Sequence, residues 1–529
     1  MKIKKPSDWL FILILVFSSL WATKALWHVG LFTSHDGPHQ VVRLLYYEQA
    51  LKDGQFPPRY ILSALKGFGY PLFIFSYHLP WIMAMPFRLL GLSIYDCIKI
   101  IFIITFVVSG LTMYFWQKKL WGGWGAFVGA FLYLWAPYRF SDIYVRGSLG
   151  EAMTFMFIPL VFSGNIIIGS LAIAGIILSH SLIFVLLLPV LIFYKPSWQS
   201  LKIFLLGLGL SAFYLIPAVL LKNQTIFTKT ITMVAQDFSQ HFPSFKQLVY
   251  SPWGYGFSFP GPNDGMSFQV GIAQWLAVGL AIFYIFRQRR ISLWLIFFIF
   301  SILMMQPVSK FVWQIVNKFA FIDYPWRYLF LSVFSASVLA GFVVSPRLIG
   351  HGPTRKNILI GVLLVAVALY TNRNHIRVNA WLDWPPETFI ASGETSNTFD
   401  EYTPAWVNTD YTDKKKDLIQ IITGKGSWAN TIKKTSTIEF TARNEEPSEY
   451  RVNVLYFPDV RILVDGKVTD YSYKTKGVLD FTVPEGQHQV FIGFQGTLLE
   501  KIALVVSVIS LVIGLFYRRT FAADDYQNS

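Results

Sequence analysis

The chain has 529 residues, of which 54% are hydrophobic and only 14% charged, a balance too apolar to be hidden in one soluble core. Its formal charge of +15 does not come from one basic block interleaved with aromatics, which excludes a nucleic-acid groove. The lone Cys97 excludes an intramolecular disulfide and a thiolate metal site.

Apolar runs of roughly 18 to 25 residues, the length a helix needs to cross about 30 Å of hydrocarbon, recur along the chain with basic residues between them. Lys2, Lys4 and Lys5 precede the first, Trp9 to Leu31. Arg287, Arg289 and Arg290 form one short loop, Arg347, Arg355 and Lys356 another, and Arg518 and Arg519 follow the last run. The positive-inside rule makes these four places cytoplasmic. The first run is longer than the core of a signal peptide and further spans follow it. It therefore delivers residues 32–70 to the outer side.

That loop opens with Ser34-His35-Asp36-Gly37-Pro38-His39, an acid flanked by two imidazoles at the exit of a span. Asp36 can act as general base on a hydroxyl, or hold a divalent cation together with His39. Alternatively it caps the juxtamembrane helix expected from Val41 to Leu51.

Between residues 71 and 194 the runs Pro71 to Leu90, Ile98 to Trp116, Trp124 to Tyr138, Ala152 to Val161 and Ile166 to Tyr194 each suit a span, a half-span or an interfacial helix. Among them lies the stretch Tyr138 to Glu151, with Arg139, Asp142, Arg146 and Glu151 between apolar neighbours. Such charges are expensive unless paired or facing a polar cavity. Either Arg146 pairs with Glu151 in an interfacial loop, or Arg146 grips a phosphate bidentately while Glu151 aids a sugar or a metal. His180, alone in the apolar run Ile176 to Leu188, reads as a hydrogen-bonded intramembrane histidine.

Leu201 to Leu221, Phe268 to Phe286, Ile291 to Met305, Tyr328 to Val344, Ile358 to Tyr370 and Ile502 to Tyr517 complete a polytopic α-helical membrane protein of about 11 to 13 spans. Residues 1–371 form its multispanning domain, with further outer loops at 222–267 and 306–326. The latter runs into Asp323-Tyr324-Pro325-Trp326-Arg327, where the positive-inside rule does not place an arginine. Arg327 either snorkels to headgroups or meets a lipid-linked phosphate.

Residues 372–415 form an irregular outer connection. It carries Trp381-Leu382-Asp383-Trp384-Pro385 and Asp400-Glu401-Tyr402-Thr403-Pro404, acids beside aromatics as carbohydrate sites use them, or else a solvated loop. Over 416–498 the chain alternates apolar and polar residues, as in Tyr450-Arg451-Val452-Asn453-Val454 and Gln489-Val490-Phe491-Ile492-Gly493. This predicts a small extracytoplasmic antiparallel β-sandwich. Asp465-Gly466 marks one hairpin and Pro484-Glu485-Gly486 another. The last span and a cytoplasmic tail fill 499–529. No Walker loop, HExxH pair, Rossmann fingerprint or serine-hydrolase elbow occurs, which argues against a primary pump, a zinc protease and a nicotinamide enzyme.

The acid-bearing first outer loop, the Pro137-Tyr138 to Glu151 stretch, Asp323 to Arg327, Asp400 to Pro404, and a terminal sandwich with Tyr456-Phe457-Pro458 and Val464-Asp465-Gly466-Lys467 occur as a set. The set resembles the bacterial multispanning proteins of the 6-pyruvoyl-tetrahydropterin synthase-related family, which in turn resemble the C-type (GT-C) membrane glycosyltransferases. The resemblance runs through nearly the whole chain on motifs that are each short. It implies an inverting sugar transfer at the outer face of the plasma membrane, from a polyprenyl-phosphate sugar to a glycan, lipid or protein acceptor of the cell envelope. In it Asp36 is the base and Arg146 with Glu151 corresponds to the second polar loop; the residue readings add Arg327 beside Arg146 on the donor phosphate, with His35, His39, Asp142, Glu151 and Glu401 in support. The commoner pattern of the first loop has a second acid where this chain has Pro38, so a metal there would have only Asp36 and His39. A pterin synthase proper needs a soluble domain with a three-histidine zinc site, which this sequence lacks.

Two other classes stay open on the sequence. One is a transporter or flippase of lipid-linked saccharides, which would use the same cations without a base. It predicts paired broken spans in two similar halves, and the sequence shows no such symmetry. The other is a non-catalytic envelope assembly protein whose sandwich binds partners.

Overall fold

A computed structural model describes residues 6–230, 238–261, 263–288, 292–317, 322, 324–345, 354–391 and 395–527. Lys2, Lys4, Lys5, Arg289, Arg290, Asp323 and Arg347 lie outside the described residues, as do the side chains of Arg518 and Arg519.

The larger part of the protein is a helical bundle. In chain order its main helices are α1 (Pro6–Ala22), α2 (Gly37–Lys52), α3 (Leu79–Leu89), α4 (Ile94–Leu134), α5 (Leu149–Val161), α6 (Ile166–Phe193), α7 (Trp198–Leu210), α8 (Ala212–Leu220), α9 (Ile272–Gln288), α10 (Leu293–Met304), α11 (Leu329–Val343), α12 (Arg355–Asn372) and α13 (Leu498–Gln527). Among the described residues, five helices are long and apolar enough to cross a membrane, or up to seven if each of two sharply bent pairs is one span. The segment Pro325–Val343 is the innermost, with 89% of its most apolar window inside the protein, against 22% for Leu498–Tyr517. The outermost helix thus presents Ile502, Val505, Ile509 and Phe516 to its surroundings, a surface suited to hydrocarbon and not to water.

This count is below the about 11 to 13 spans expected, because several apolar runs break before they reach spanning length. Pro71 to Leu90 splits into a turn at Leu72–Phe75 and α3. Leu201 to Leu221 bends by 75° between α7 and α8, where the Ser211 hydroxyl donates back to the Gly207 carbonyl at 3.0 Å and loosens the helix ladder. Ile98 to Trp116 and most of Trp124 to Tyr138 fall within α4, which breaks at Gly122. The first run is helical only to Ala22 and continues as a single 3₁₀ turn, Lys24–Trp27.

The strands are β1 (Leu31–Phe32), β2 (Trp381–Leu382), β3 (Ile419–Thr423), β4 (Gly426–Lys433), β5 (Thr437–Asn444), β6 (Ser448–Leu455), β7 (Val460–Val464), β8 (Lys467–Val468), β9 (Tyr471–Ser472), β10 (Val478–Val483) and β11 (Gly486–Phe494). Two antiparallel sheets, in the orders β3-β6-β10-β9 and β4-β5-β11-β7-β8, share one core that includes Phe440, Tyr450, Val452, Ile462, Phe481 and Ile492. Asp465-Gly466 does join the paired strands β7 and β8. Pro484-Glu485-Gly486 does not close a hairpin. It is the corner at which the chain passes from β10 in one sheet to β11 in the other, a distinction invisible in the turn residues alone.

Residues 59–70 of the first loop dock this β-domain on the bundle. The Leu62 N–H donates to the Thr435 carbonyl at 2.8 Å, the Leu455 N–H to the Phe68 carbonyl at 2.7 Å, and the Tyr60 ring stacks on Phe494 at 3.8 Å.

The loops sort onto two faces of the bundle. On one, β1 pairs with β2, the Ile226 N–H donates to the Thr403 carbonyl at 2.8 Å, and the Tyr255 hydroxyl donates to the Arg377 carbonyl at 2.9 Å. The described residues of segments 32–70, 222–267 and 372–498 are therefore joined to one another. At the other face Asp8 pairs with Lys118 at 2.7 Å, and Ser345 bonds to the Trp121 carbonyl at 3.2 Å.

Candidate functional site

The Arg139 to Glu151 stretch lies on the face of the first group of loops. Ser141–Arg146 forms a π-helical turn, a geometry frequent at functional sites because it widens the helix and re-aims side chains. Gly147 ends it with φ +64°, and a Cβ there would meet the Ser34 hydroxyl oxygen at 2.3 Å, so the turn can lie directly against the first loop only with glycine at this position. Two backbone bonds then join the segments: the His35 N–H to the Val145 carbonyl at 3.0 Å, and the Asp36 N–H to the Arg146 carbonyl at 2.8 Å. The Gln40 amide adds a bond to the Gly147 carbonyl at 3.0 Å.

Asp36 precedes α2, yet its carboxylate makes no cap hydrogen bond. It is only partly buried and lies within electrostatic range of His35, Arg146, Arg43 and Tyr77. The capping alternative thus lacks the bond that defines it. His35 turns away: its ring stacks on Phe257 at 4.1 Å, and Nε2 lies 3.3 Å from the Tyr255 carbonyl oxygen. Burial holds its imidazole below the ordinary value, so it is neutral near pH 7. His39 sits in the first turn of α2 and is half-buried. Among the described residues no three His, Cys, Asp or Glu side chains are grouped to hold a metal ion, so Asp36 and His39 gain no third such ligand.

Next to Asp36 is a buried ion cluster. Glu151, with no exposed surface, accepts on one oxygen from Arg146 Nη1 at 2.8 Å and from Arg327 Nη1 at 3.0 Å. The Tyr138 hydroxyl donates to its other oxygen. Arg146 Nη1 also donates to Asp142 Oδ1 at 2.7 Å and to the Tyr138 oxygen at 3.2 Å. All three bonds of Arg146 leave from one nitrogen, so its Nε and Nη2 donors are not spent on the cluster. The Trp326 ring is shared by both cations, with Arg146 at 4.9 Å and Arg327 at 5.6 Å, contacts that favour guanidinium over ammonium. Asp142 keeps one buried oxygen without a partner. The Arg146–Glu151 pair and the convergence with Arg327 thus coexist, and neither arginine snorkels singly to solvent.

Glu401 lies one step further out. It accepts from the Asn397 amide at 2.8 Å and keeps one buried oxygen unbonded. Desolvation raises its carboxyl above the usual range against the pull of nearby Arg43. Arg43 bonds Ser396 Oγ at 3.1 Å, the Ser396 carbonyl at 3.0 Å, Asn397 Oδ1 at 3.2 Å and the Tyr77 hydroxyl at 3.3 Å. It ties α2 to the 395–403 segment and was not singled out by sequence reasoning. The available signal was its place on α2 two turns after Asp36, hence on the same helix face. Trp381 is engaged in β2 and stacks on His28 at 4.3 Å, so that aromatic closes the loop junction instead of joining the cluster.

Chemically, the arrangement offers a partly open carboxylate, a pair of guanidiniums held by one shared acid, and the Nε and Nη2 donors of Arg146. That combination can bind an oxyanion and take a proton beside it. No protein-family model matches the chain, and a search of curated proteins finds no significant relative.

Proposed function

We propose that the protein is a C-type membrane glycosyltransferase that passes a sugar from a polyprenyl-phosphate donor to an envelope acceptor, as its resemblance to the 6-pyruvoyl-tetrahydropterin synthase-related proteins implies. The observation that carries this reading is the backbone junction of Asp36 with Arg146, which sets a carboxylate free of capping beside two arginines on one buried acid. In the reaction the acceptor oxygen attacks the anomeric carbon while Asp36 takes its proton. The bond from that carbon to the phosphate oxygen breaks, and the departing polyprenyl phosphate keeps the electron pair. Arg146 and Arg327 meet the charge that develops on it, and the one-sided attack inverts the anomeric configuration.

The test uses the full chain in proteoliposomes with labelled undecaprenyl-phosphate sugars and envelope membranes as acceptor. Asp36→Asn is expected to lower transfer by roughly 10² to 10⁴-fold with donor binding and melting temperature retained. A stable, fully active Asp36→Asn protein overturns the base assignment. A transporter of lipid-linked saccharides is the second reading, favoured by the break in α6 and the two bent helix pairs. It expects lipid translocation without transfer and no dependence on the Asp36 proton.

A further inference from the structure

α6 is apolar over 28 residues, yet it is not one continuous helix. At His180 the backbone leaves helical geometry (φ −162°, ψ 91°), and the Leu178 carbonyl accepts from the His78 N–H at 3.1 Å. Non-helical backbone within an apolar segment survives only where it is buried in protein or faces a polar cavity. The start of α5 packs directly on the break. A Cβ on Gly150 would stand 2.3 Å from the Ser179 carbonyl oxygen and 2.9 Å from the Tyr77 ring, so glycine is what lets α5 come this close. The next residue along α5 is Glu151, which holds Arg146 and Arg327.

His180 therefore stands at the ion cluster. Its ring lies within electrostatic range of Glu151, Arg327, Arg146 and Arg43, with the Tyr77 ring stacked at 6.3 Å. Tyr77 in turn accepts from Arg43 at 3.3 Å. Against the expectation of a hydrogen-bonded intramembrane histidine, Nδ1 is buried with no hydrogen-bond partner. Imidazole nitrogens are obligatory donors or acceptors, and leaving one buried and unbonded is costly. The helix is interrupted where this ring sits, and among the described residues none bonds Nδ1.

We infer that the break at His180 is a phosphate subsite, in which the imidazole N–H donates to an oxygen of a lipid-linked phosphate whose charge is met by Arg146 and Arg327. Three guanidiniums within electrostatic range of the ring outnumber the one Glu151 carboxylate there, a balance that favours an anion over a cation or a neutral hydroxyl. The inference rests on the donor-binding reading above and adds to it a residue that contacts the ligand.

The experiment titrates the full chain in nanodiscs with undecaprenyl phosphate, with undecaprenol and with inorganic phosphate, alongside a melt of each variant. His180→Ala is expected to weaken undecaprenyl phosphate about 10- to 100-fold while leaving undecaprenol binding and the melting temperature unchanged. His180→Gln, which keeps a donor, recovers part of the affinity, and His180→Phe, which keeps only the ring, does not. Wild-type affinity in His180→Ala, equal loss for both lipids, or rescue by Phe but not by Gln overturns the subsite. Inorganic phosphate binding as tightly as the lipid overturns the lipid assignment. A wild-type protein that does not distinguish undecaprenyl phosphate from undecaprenol, with Arg327→Ala equally silent, removes the donor reading itself.

Discussion

Glu151 carries two guanidiniums and a phenol on one fully buried carboxylate, and its substitution is the most severe single change in the cluster. Glu151→Gln leaves the buried Arg146 and the partly buried Arg327 without their shared counter-charge, a loss of about 3 to 5 kcal/mol, which thermal melts in detergent should register as a large drop. Arg327 separates charge from shape. It donates to Glu151 and lies over Trp326 and Tyr324, contacts an ammonium cannot reproduce. Arg327→Lys is therefore expected to bind undecaprenyl phosphate almost as poorly as Arg327→Ala, and wild-type binding by both would remove Arg327 from the donor site. His35 sets an acid limit. Burial keeps its folded value below 6.5, so on acidification the unfolded chain takes up a proton before the folded one does. Stability rises with pH wherever the unfolded state binds more protons. The contribution of His35 is thus complete above about 6.5 and is lost as pH falls below it. The melting temperature of His35→Gln should decline less between pH 7 and 5 than that of wild type, because this interval runs from about half a unit above the reference value of 6.5 to about one and a half units below it.

Among the elements, the contact of α5 with the broken α6 decides the shape of the cluster. Gly150→Ala places a methyl group 2.3 Å from a backbone carbonyl oxygen that has no flexible end to move. The cost of such overpacking is about 1 to 3 kcal/mol, together with weakened donor binding as Glu151 shifts. Gly279→Ala is the matched control, because a Cβ there meets nothing within 4 Å. The control should melt at or slightly above the wild-type temperature, and equal behaviour of the two variants would show that the α5–α6 contact is not tight. In the β-domain the comparable link is the bidentate Arg451–Asp480 pair, at 2.7 and 2.6 Å between register partners on β6 and β10.

For the whole molecule, the loops meet as two separate groups. Segments 32–70, 222–267 and 372–498 bond to one another, whereas Asp8, Lys118, Trp121 and Ser345 gather elsewhere. With the basic loops read as cytoplasmic, a cysteine at Lys425 is expected to react with an impermeant reagent on intact cells, and one at Arg287 only after lysis. The native Cys97 is buried and serves as background. The reverse pattern would invert the topology and put Asp36 on the cytoplasmic side.

Apolar runs and alternating strands were legible because length, hydropathy and period are properties of neighbouring residues. The helices around Arg355 to Asn372 and Leu498 onward, strands β6 and β11 and the Asp465-Gly466 hairpin needed nothing more. Asp36, Arg146 and Arg327 stood out for local reasons too: Asp36 as an acid between two imidazoles at the exit of a span, Arg146 as a charge between apolar runs, and Arg327 as a cation where the positive-inside rule does not place one. Their meeting could not be read in this way: Arg327 and Glu151 are 176 residues apart, and only packing of the helices sets that distance. The same holds for the bend at Ser211, the corner at Pro484 to Gly486, Arg43 bridging to Ser396, and the break at His180. Each depends on which backbone comes within bonding range from a distant part of the chain, and a hydrogen bond is decided within tenths of an ångström that no local pattern encodes.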